Sequence, residues 1–209
     1  MLYYSTIESK TLELLKRFIS IPQFSNLRLV GGTSLALQIG HRKSIDIDLF
    51  GAIDPDLRLD IILKEIGPLK IIKRSPHIFI CTINDIKVDI VNYSYPWLDT
   101  QNIIDTIPLA SRRDIAAMKL SAITGRGTKK DFIDLFFLLK EFTLEEIMHF
   151  YQEKYADGAI FLVIRSLAYF ADADKEAMPK MMIPLDWLLV KNTIISALNE
   201  YMKDKTLLP

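Results

Sequence analysis

An α+β fold is what this sequence predicts: a small mixed sheet within the first hundred residues, then helices alone. Three features point to it. Runs of alternating apolar and polar residues at 44–50, 78–83 and 86–92 have the two-residue period of half-buried strands. Between them lie stretches with helical spacing. Beyond Pro108, Ser111-x-x-Asp114, Thr128-x-x-Asp131 and Thr143-x-x-Glu146 look like capping boxes or near relatives, marking successive helix starts.

Taken in order, residues 5–20 place Ile7, Leu12, Leu14, Leu15, Phe18 and Ile19 at roughly helical spacing, and Pro22 stops that helix. Leu27 to Val30 is a short strand running into Gly31-Gly32, where a short helix opens. Ser44 to Phe50 is the next strand. Its period puts Asp46 and Asp48 on one face and Ile45, Ile47 and Leu49 on the core face. Asp54-Pro55 is a helix start, with an acid cap and proline at the first position, and Gly67-Pro68 ends the helix. Lys70 to Arg74 is a further strand. Residues 78–83 and 86–92 form a hairpin around Asn84-Asp85. Further helices are expected near 158–171 and 184–203. The expected division is a sheet-containing lobe over 1–107 and a helical lobe over 108–209.

Half of the 209 residues are hydrophobic, enough for a sizeable core and too many for a disordered chain. Twenty-six basic residues balance 26 acidic ones, so any contact with nucleic acid must rest on local patches. The single cysteine, Cys81, excludes an intramolecular disulfide framework and fits a reducing cytoplasm; its apolar neighbours make it a buried small hydrophobe. No leader-like or membrane-spanning run is evident, so a soluble cytoplasmic protein with no membrane partner is expected.

The chemistry concentrates in residues 31–50. Two carboxylates side by side on a rigid strand repel unless a cation lies between them, and hard oxygen pairs suit Mg²⁺ together with substrate phosphates. Gly31 and Gly32 let the backbone approach a ligand, and Thr33 and Ser34 follow at a helix amino end, where amides attract phosphate. An ordinary strand-to-helix turn explains the glycines equally well. In Ile86-Lys87-Val88-Asp89 the alternation puts Lys87 and Asp89 on the polar face. If that strand neighbours the Asp46/Asp48 strand, Asp89 completes a three-acid cluster; otherwise it is a solvated residue paired with Lys87. Such a cluster suits two cations about 4 Å apart that clamp the attacking and leaving oxygens of an in-line displacement.

These residues resemble a known family. Gly31-Gly32-Thr33-x-Leu35-Ala36-Leu37, then His41-Arg42-x-Ser44-x-Asp46-x-Asp48-Leu49-Phe50, resembles the first motif of AbiEii-type nucleotidyltransferases. These are toxin halves of bacterial abortive-infection toxin–antitoxin pairs, within the DNA polymerase β-like superfamily. The resemblance continues through Lys87-Val88-Asp89, Asp114 to Ile123 and Arg126 to Leu135, covering about residues 28–140. It implies a polymerase β-like lobe followed by a helical region, and transfer of a nucleoside monophosphate from an NTP to a hydroxyl. The implied catalytic metal ligands are Asp46, Asp48 and Asp89, holding two Mg²⁺ ions, with Mn²⁺ as the alternative. Gly31, Gly32, Thr33, Ser34, Lys119 and Asp134 are the implied nucleotide-binding residues, and Arg42, Arg126 and Lys130 the substrate or phosphate contacts. Asp131 has a complete alternative explanation in helix capping, and His41 in a structural hydrogen bond.

From Ser111 to Lys130 six cations stand against the one acid, Asp114, a local excess able to bind a triphosphate or an RNA backbone. Related toxins imply tRNA 3′ ends as acceptor, and a cognate antitoxin as partner. Protein side chains or a small molecule are alternative acceptors, and a non-catalytic nucleotide-binding module is the rival from another class.

Overall fold

The computed structural model describes residues 1–206, and the last three expected helical-lobe residues lie outside the described part. The chain divides into two compact units, one of Met1–Tyr95 with Thr100–Ala110, the other of Pro96–Asp99 with Ser111 onward.

The first unit is built on a mixed sheet of strands β1 (Leu27–Leu29), β2 (Ile47–Gly51), β3 (Leu69–Arg74), β4 (Ile78–Ile83), β5 (Ile86–Asn92), β6 (Asn102–Ile104) and β7 (Ile107–Leu109). Their spatial order is β3-β4-β5-β2-β1-β7-β6. β2 runs parallel to β5 and antiparallel to β1, so two strands far apart in sequence become neighbours at the centre. The alternation in the sequence is realised in the burial. Ile47 and Leu49 of β2, Phe79, Cys81 and Ile83 of β4, and Ile86, Val88 and Ile90 of β5 share one buried face. Onto the same core pack Leu14, Leu15 and Phe18 of helix α1 (Ser9–Ile19). Helix α2 (Gly31–Ile39) contributes Leu37, and helix α3 (Leu59–Ile66) contributes Leu63. The residues between, among them Asp48, Lys87 and Asp89, are only partly covered.

Several expected boundaries move. β2 begins at Ile47 rather than Ser44, and Ile45 is 62% exposed instead of facing the core. The chain before Ile47 is tied down by the side chain of Thr33, described below, rather than by a neighbouring strand. α3 starts at Leu59, not at Pro55, because the Asp54 carboxylate accepts the Asp56 amide at 2.9 Å and closes a local turn in place of a helix cap. α1 starts at Ser9, after a short 3₁₀ turn over Tyr4–Thr6. The hairpin around Asn84-Asp85 is present, both residues having positive φ of 51° and 63° as a type I′ turn requires. A second hairpin, β6–β7, turns through Asp105-Thr106. It was not expected, since its strands are three residues each and its turn holds no glycine.

The second unit is helical: α4 (Arg112–Gly125), α5 (Lys129–Leu138), α6 (Leu144–Lys154), α7 (Ile160–Leu167), α8 (Ala171–Asp174) and α9 (Trp187–Thr206). α4 is its axis, packed by α5, α6 and α7. Ile115, Ala116, Ala117 and Leu120 are fully buried there, the two alanines letting neighbours approach closely. Ser111 and Thr143 cap their helices through the amides of Asp114 and Glu146, and Glu146 returns the bond to complete a capping box. Thr128 departs from that pattern. Its hydroxyl donates to the Asp131 carboxylate at 2.6 Å rather than accepting a backbone amide. Among the described residues no helix is long and apolar enough to cross a membrane.

Candidate active site

The first unit gathers the acids of the early motif. Asp48 of β2 and Asp89 of β5 are register partners on adjacent parallel strands, so both carboxylates leave the same face of the sheet. Asp46 lies one residue before β2 begins. Its carbonyl accepts a hydrogen bond from Thr33 Oγ1, which also lies 2.8 Å from Ser44 Oγ. Thr33 and Ser34 are both buried, and Ser34 Oγ accepts from Gln38 Nε2 at 3.1 Å. The Thr33 hydroxyl holds the loop that carries the first acid.

The two glycines have separate reasons. Gly31 opens α2 with φ of +66°, a left-handed conformation that side chains disfavour, and a Cβ there would overlap Asp48 Oδ2. A Cβ on Gly32 would overlap the Arg42 guanidinium. The paired glycines therefore let an acid and an arginine lie against the amino end of α2. Arg42 is 3% exposed and donates to the Lys43 carbonyl at 2.9 Å, and His41 beside it is fully buried.

Lys87 shares the polar face with Asp89 two residues along β5. Its Nζ is 2.7 Å from Asp89 Oδ1 and donates to Oδ2 at 2.8 Å. Burial opposes the charged form of Lys87, but the hydrogen bond and charge of Asp89, with the charges of Asp48 and Asp46, outweigh it and raise the ammonium above its usual pKa. All three acids thus act on one ammonium. On the opposite, apolar face, burial and then the charge of Asp89 push the Cys81 thiol up to about 12.

Among the described residues no three His, Cys, Asp or Glu side chains converge as a ready metal cage. The donor chemistry nonetheless fits a hard divalent cation. Asp48 and Asp89 stand in register, Asp46 adjoins them, the Gly31 cradle admits the Asp48 carboxylate, and an ammonium already stands as the cation facing them.

The second unit holds the remaining expected site residues. Lys119 of α4, only 4% exposed, lies with its Nζ 3.0 Å from Asp131 Oδ1 and 2.6 Å from Asp134 Oδ2, both carboxylates of α5 being fully buried. Arg126 adds two bonds to Asp131, at 2.9 and 3.1 Å. Burial alone would raise the Asp131 carboxyl, but Lys119, Arg126 and the Thr128 hydroxyl hold it well below the usual carboxylate range. Asp131, for which the spacing offers capping as a complete alternative explanation, bonds Lys119, Arg126 and the Thr128 hydroxyl. Lys130 is half-buried on the first turn of α5.

The excess of positive charge between Ser111 and Lys130 is largely met from outside that window. Arg112 pairs with Glu141 at 2.6 Å, and Arg113 with Asp99 at 2.9 Å and Glu153 at 3.6 Å. Lys129 donates to the Glu176 carbonyl. The sequence offered no sign of Lys154, which is 1% exposed. Its Nζ reaches Asp114 Oδ1 at 2.8 Å and the Pro96 carbonyl at 2.7 Å, and lies 4.6 Å from the centre of the Trp97 ring. Asp114 in turn accepts the Leu98 amide at 3.0 Å, so this ion pair ties residues 96–98 to the helices.

Residues 13–202 match the family model described as the nucleotidyl transferase AbiEii toxin of type IV toxin–antitoxin systems. An uncharacterized protein of Aquifex aeolicus (strain VF5) is 33% identical over 171 residues, which is 78% of this chain and 83% of that one. Among solved structures, a proposed nucleotidyltransferase from H. pylori superposes with a TM-score of 0.58 at 18% identity, over 97% of this chain and 99% of its own. MenT4, a nucleotidyltransferase toxin from Mycobacterium tuberculosis H37Rv, does so with a TM-score of 0.51 at 13% identity, over 92% and 86%. At such identities the structures show a shared fold, that of the polymerase β-like nucleotidyltransferases. The family match spans most of the chain and decides the matter: the chain belongs to the AbiEii nucleotidyltransferase toxin family.

Proposed function

We propose that this nucleotidyltransferase is Mg²⁺-dependent, that its catalytic acids are Asp46, Asp48 and Asp89, and that its acceptor is the 3′ hydroxyl of an RNA, with tRNA the first choice. The single observation that carries the reading is the parallel β2–β5 pairing that sets Asp48 level with Asp89, next to Asp46. Such a cluster of hard oxygen donors on a rigid sheet suits phosphoryl chemistry. Two divalent cations, when bound, supply the Lewis acidity that activates the acceptor hydroxyl and neutralises the triphosphate. Asp46 and Asp48 would hold both ions, and Asp89 would hold the one that serves the acceptor hydroxyl. The acceptor oxygen attacks the α-phosphorus, the bond from that phosphorus to the bridging oxygen of pyrophosphate breaks, and Asp89 receives the hydroxyl proton. Thr33 fixes the loop that carries Asp46, and Gly31 leaves room for the Asp48 carboxylate.

Lys119 and Asp134, with Arg126 and Lys130, are proposed as residues that serve the nucleotide. Lys119 reaches a phosphate only by leaving Asp131 and Asp134, so in the state described its work is to hold α4 against α5. The proposed partner is a cognate antitoxin, expected from the family.

Acceptor class is tested by incubating the protein with each of four α-³²P-labelled NTPs and Mg²⁺, together with total tRNA, total protein or a panel of hydroxylated small molecules. Label on tRNA supports the reading. Label confined to protein or to a small molecule overturns the RNA acceptor and keeps the transfer chemistry. NTP binding without label on any acceptor favours the silent module.

A further inference from the structure

We propose that Lys87 is a displaceable counter-ion that competes with a divalent cation for Asp89 and keeps a second ion out of the acid cluster until the nucleotide arrives. The proposal rests on the reading of Asp46, Asp48 and Asp89 as the metal-holding acids.

The geometry supports competition rather than coexistence. Lys87 Nζ lies within 2.8 Å of both Asp89 oxygens, the same atoms that a cation on the acceptor side needs. Residues two apart on a strand project from one face, which sets the ammonium beside the Asp89 carboxylate. Lys87 pairs with Asp89 and feels the charges of Asp48 and Asp46, so three carboxylates and one ammonium leave a formal excess of two negative charges, which a single divalent cation neutralises. With Lys87 in place the cluster is complete at one ion. Release of Lys87 makes room for a second, whose charge is balanced by the triphosphate.

Displacement is physically easy. The Lys87 side chain is 42% exposed, so it swings into water without leaving a buried ammonium behind. A half-exposed ion pair of this kind is weak by itself and gives way to a doubly charged competitor. The contrast with Lys119, 5% exposed between two buried carboxylates, is plain: that lysine is locked, and Lys87 is not.

The test reads metal binding directly. Mn²⁺ alone is titrated calorimetrically into the full chain without nucleotide, for wild type, Lys87→Met, Lys87→Gln and Asp48→Asn, each checked for a cooperative thermal melt. Removing one positive charge a few ångströms from the cation is expected to tighten Mn²⁺ binding by about tenfold in both Lys87 variants. A non-hydrolysable NTP analogue is expected to raise Mn²⁺ affinity more in wild type than in those variants, since only wild type has an ammonium to displace. Equal Mn²⁺ affinity in wild type and both Lys87 variants, with binding lost in Asp48→Asn, overturns the counter-ion role and leaves the metal site standing. No Mn²⁺ binding to any of the four proteins, with or without the analogue, overturns both.

Discussion

Gly31 illustrates how tightly single residues are specified around the acids. Its positive φ and the Asp48 carboxylate lying where a Cβ would stand make Gly31→Ala costly on two grounds. We expect a loss of about 1–2 kcal/mol of stability from the backbone alone, measured by denaturant unfolding, and a larger loss of transfer activity through displaced Asp48. Gly32→Ala has a milder cost, because the Arg42 guanidinium at the end of a flexible side chain can move away. Lys119 is the opposite case. Lys119→Met leaves Asp131 and Asp134 buried with one counter-charge fewer, and unfolding measurements should show a loss of about 3–5 kcal/mol. The related pH dependence follows from Asp131. Its folded pKa is depressed below its ordinary 3.8, so its stabilising share is present above that value and is lost as pH falls below it. Asp131→Asn should lower the melting temperature at pH 7, and the gap to wild type should narrow below about pH 4. A gap of constant size from pH 7 to pH 3 would contradict the assignment.

Elements were legible where pattern and packing agree. The period of two located β4 and β5, and the Asn84-Asp85 turn was readable because type I′ turns favour those residues. The period overran at Ser44 to Asp46, where alternation persists although no strand pairs with it. A periodic pattern records side-chain environment, not hydrogen-bonded partners. Asp54-Pro55 misled for a related reason, since an acid followed by proline starts a turn as readily as a helix. The β6–β7 hairpin escaped notice because its turn uses Asp105 and Thr106 at φ of 50° and 68° in place of glycine. A β-branched residue in that conformation is strained, so Thr106→Gly is expected to stabilise the protein by about 1 kcal/mol in denaturant unfolding. No gain, or a loss, would show that the Thr106 side chain makes up for its backbone.

At the scale of the whole molecule, the order of motifs along the chain carried the family assignment, and the match over residues 13–202 extends it through the helices beyond the quoted motifs. Site charges were less legible. Counting cations between Ser111 and Lys130 suggested a basic patch, but Asp99, Glu141 and Glu153 come from elsewhere in the sequence to neutralise it. In the same way, Lys154 meets the Pro96 carbonyl across 58 residues, a pairing no local window contains. The parallel pairing of β2 with β5 is also long-range, yet it was foreseeable as a condition, since each strand separately carried an acid on its polar face. The central claim is that this acid cluster moves a nucleoside monophosphate and releases pyrophosphate. The most direct measurement follows one NTP labelled at the α-phosphorus and, separately, at the γ-phosphorus, with Mg²⁺ and total RNA, for wild type and a folded Asp48→Asn variant. The account predicts α-label on RNA and γ-label in pyrophosphate for wild type, with both rates lower by roughly 10³-fold or more in the variant. Equal rates in the two proteins, or γ-label on the acceptor, would contradict it.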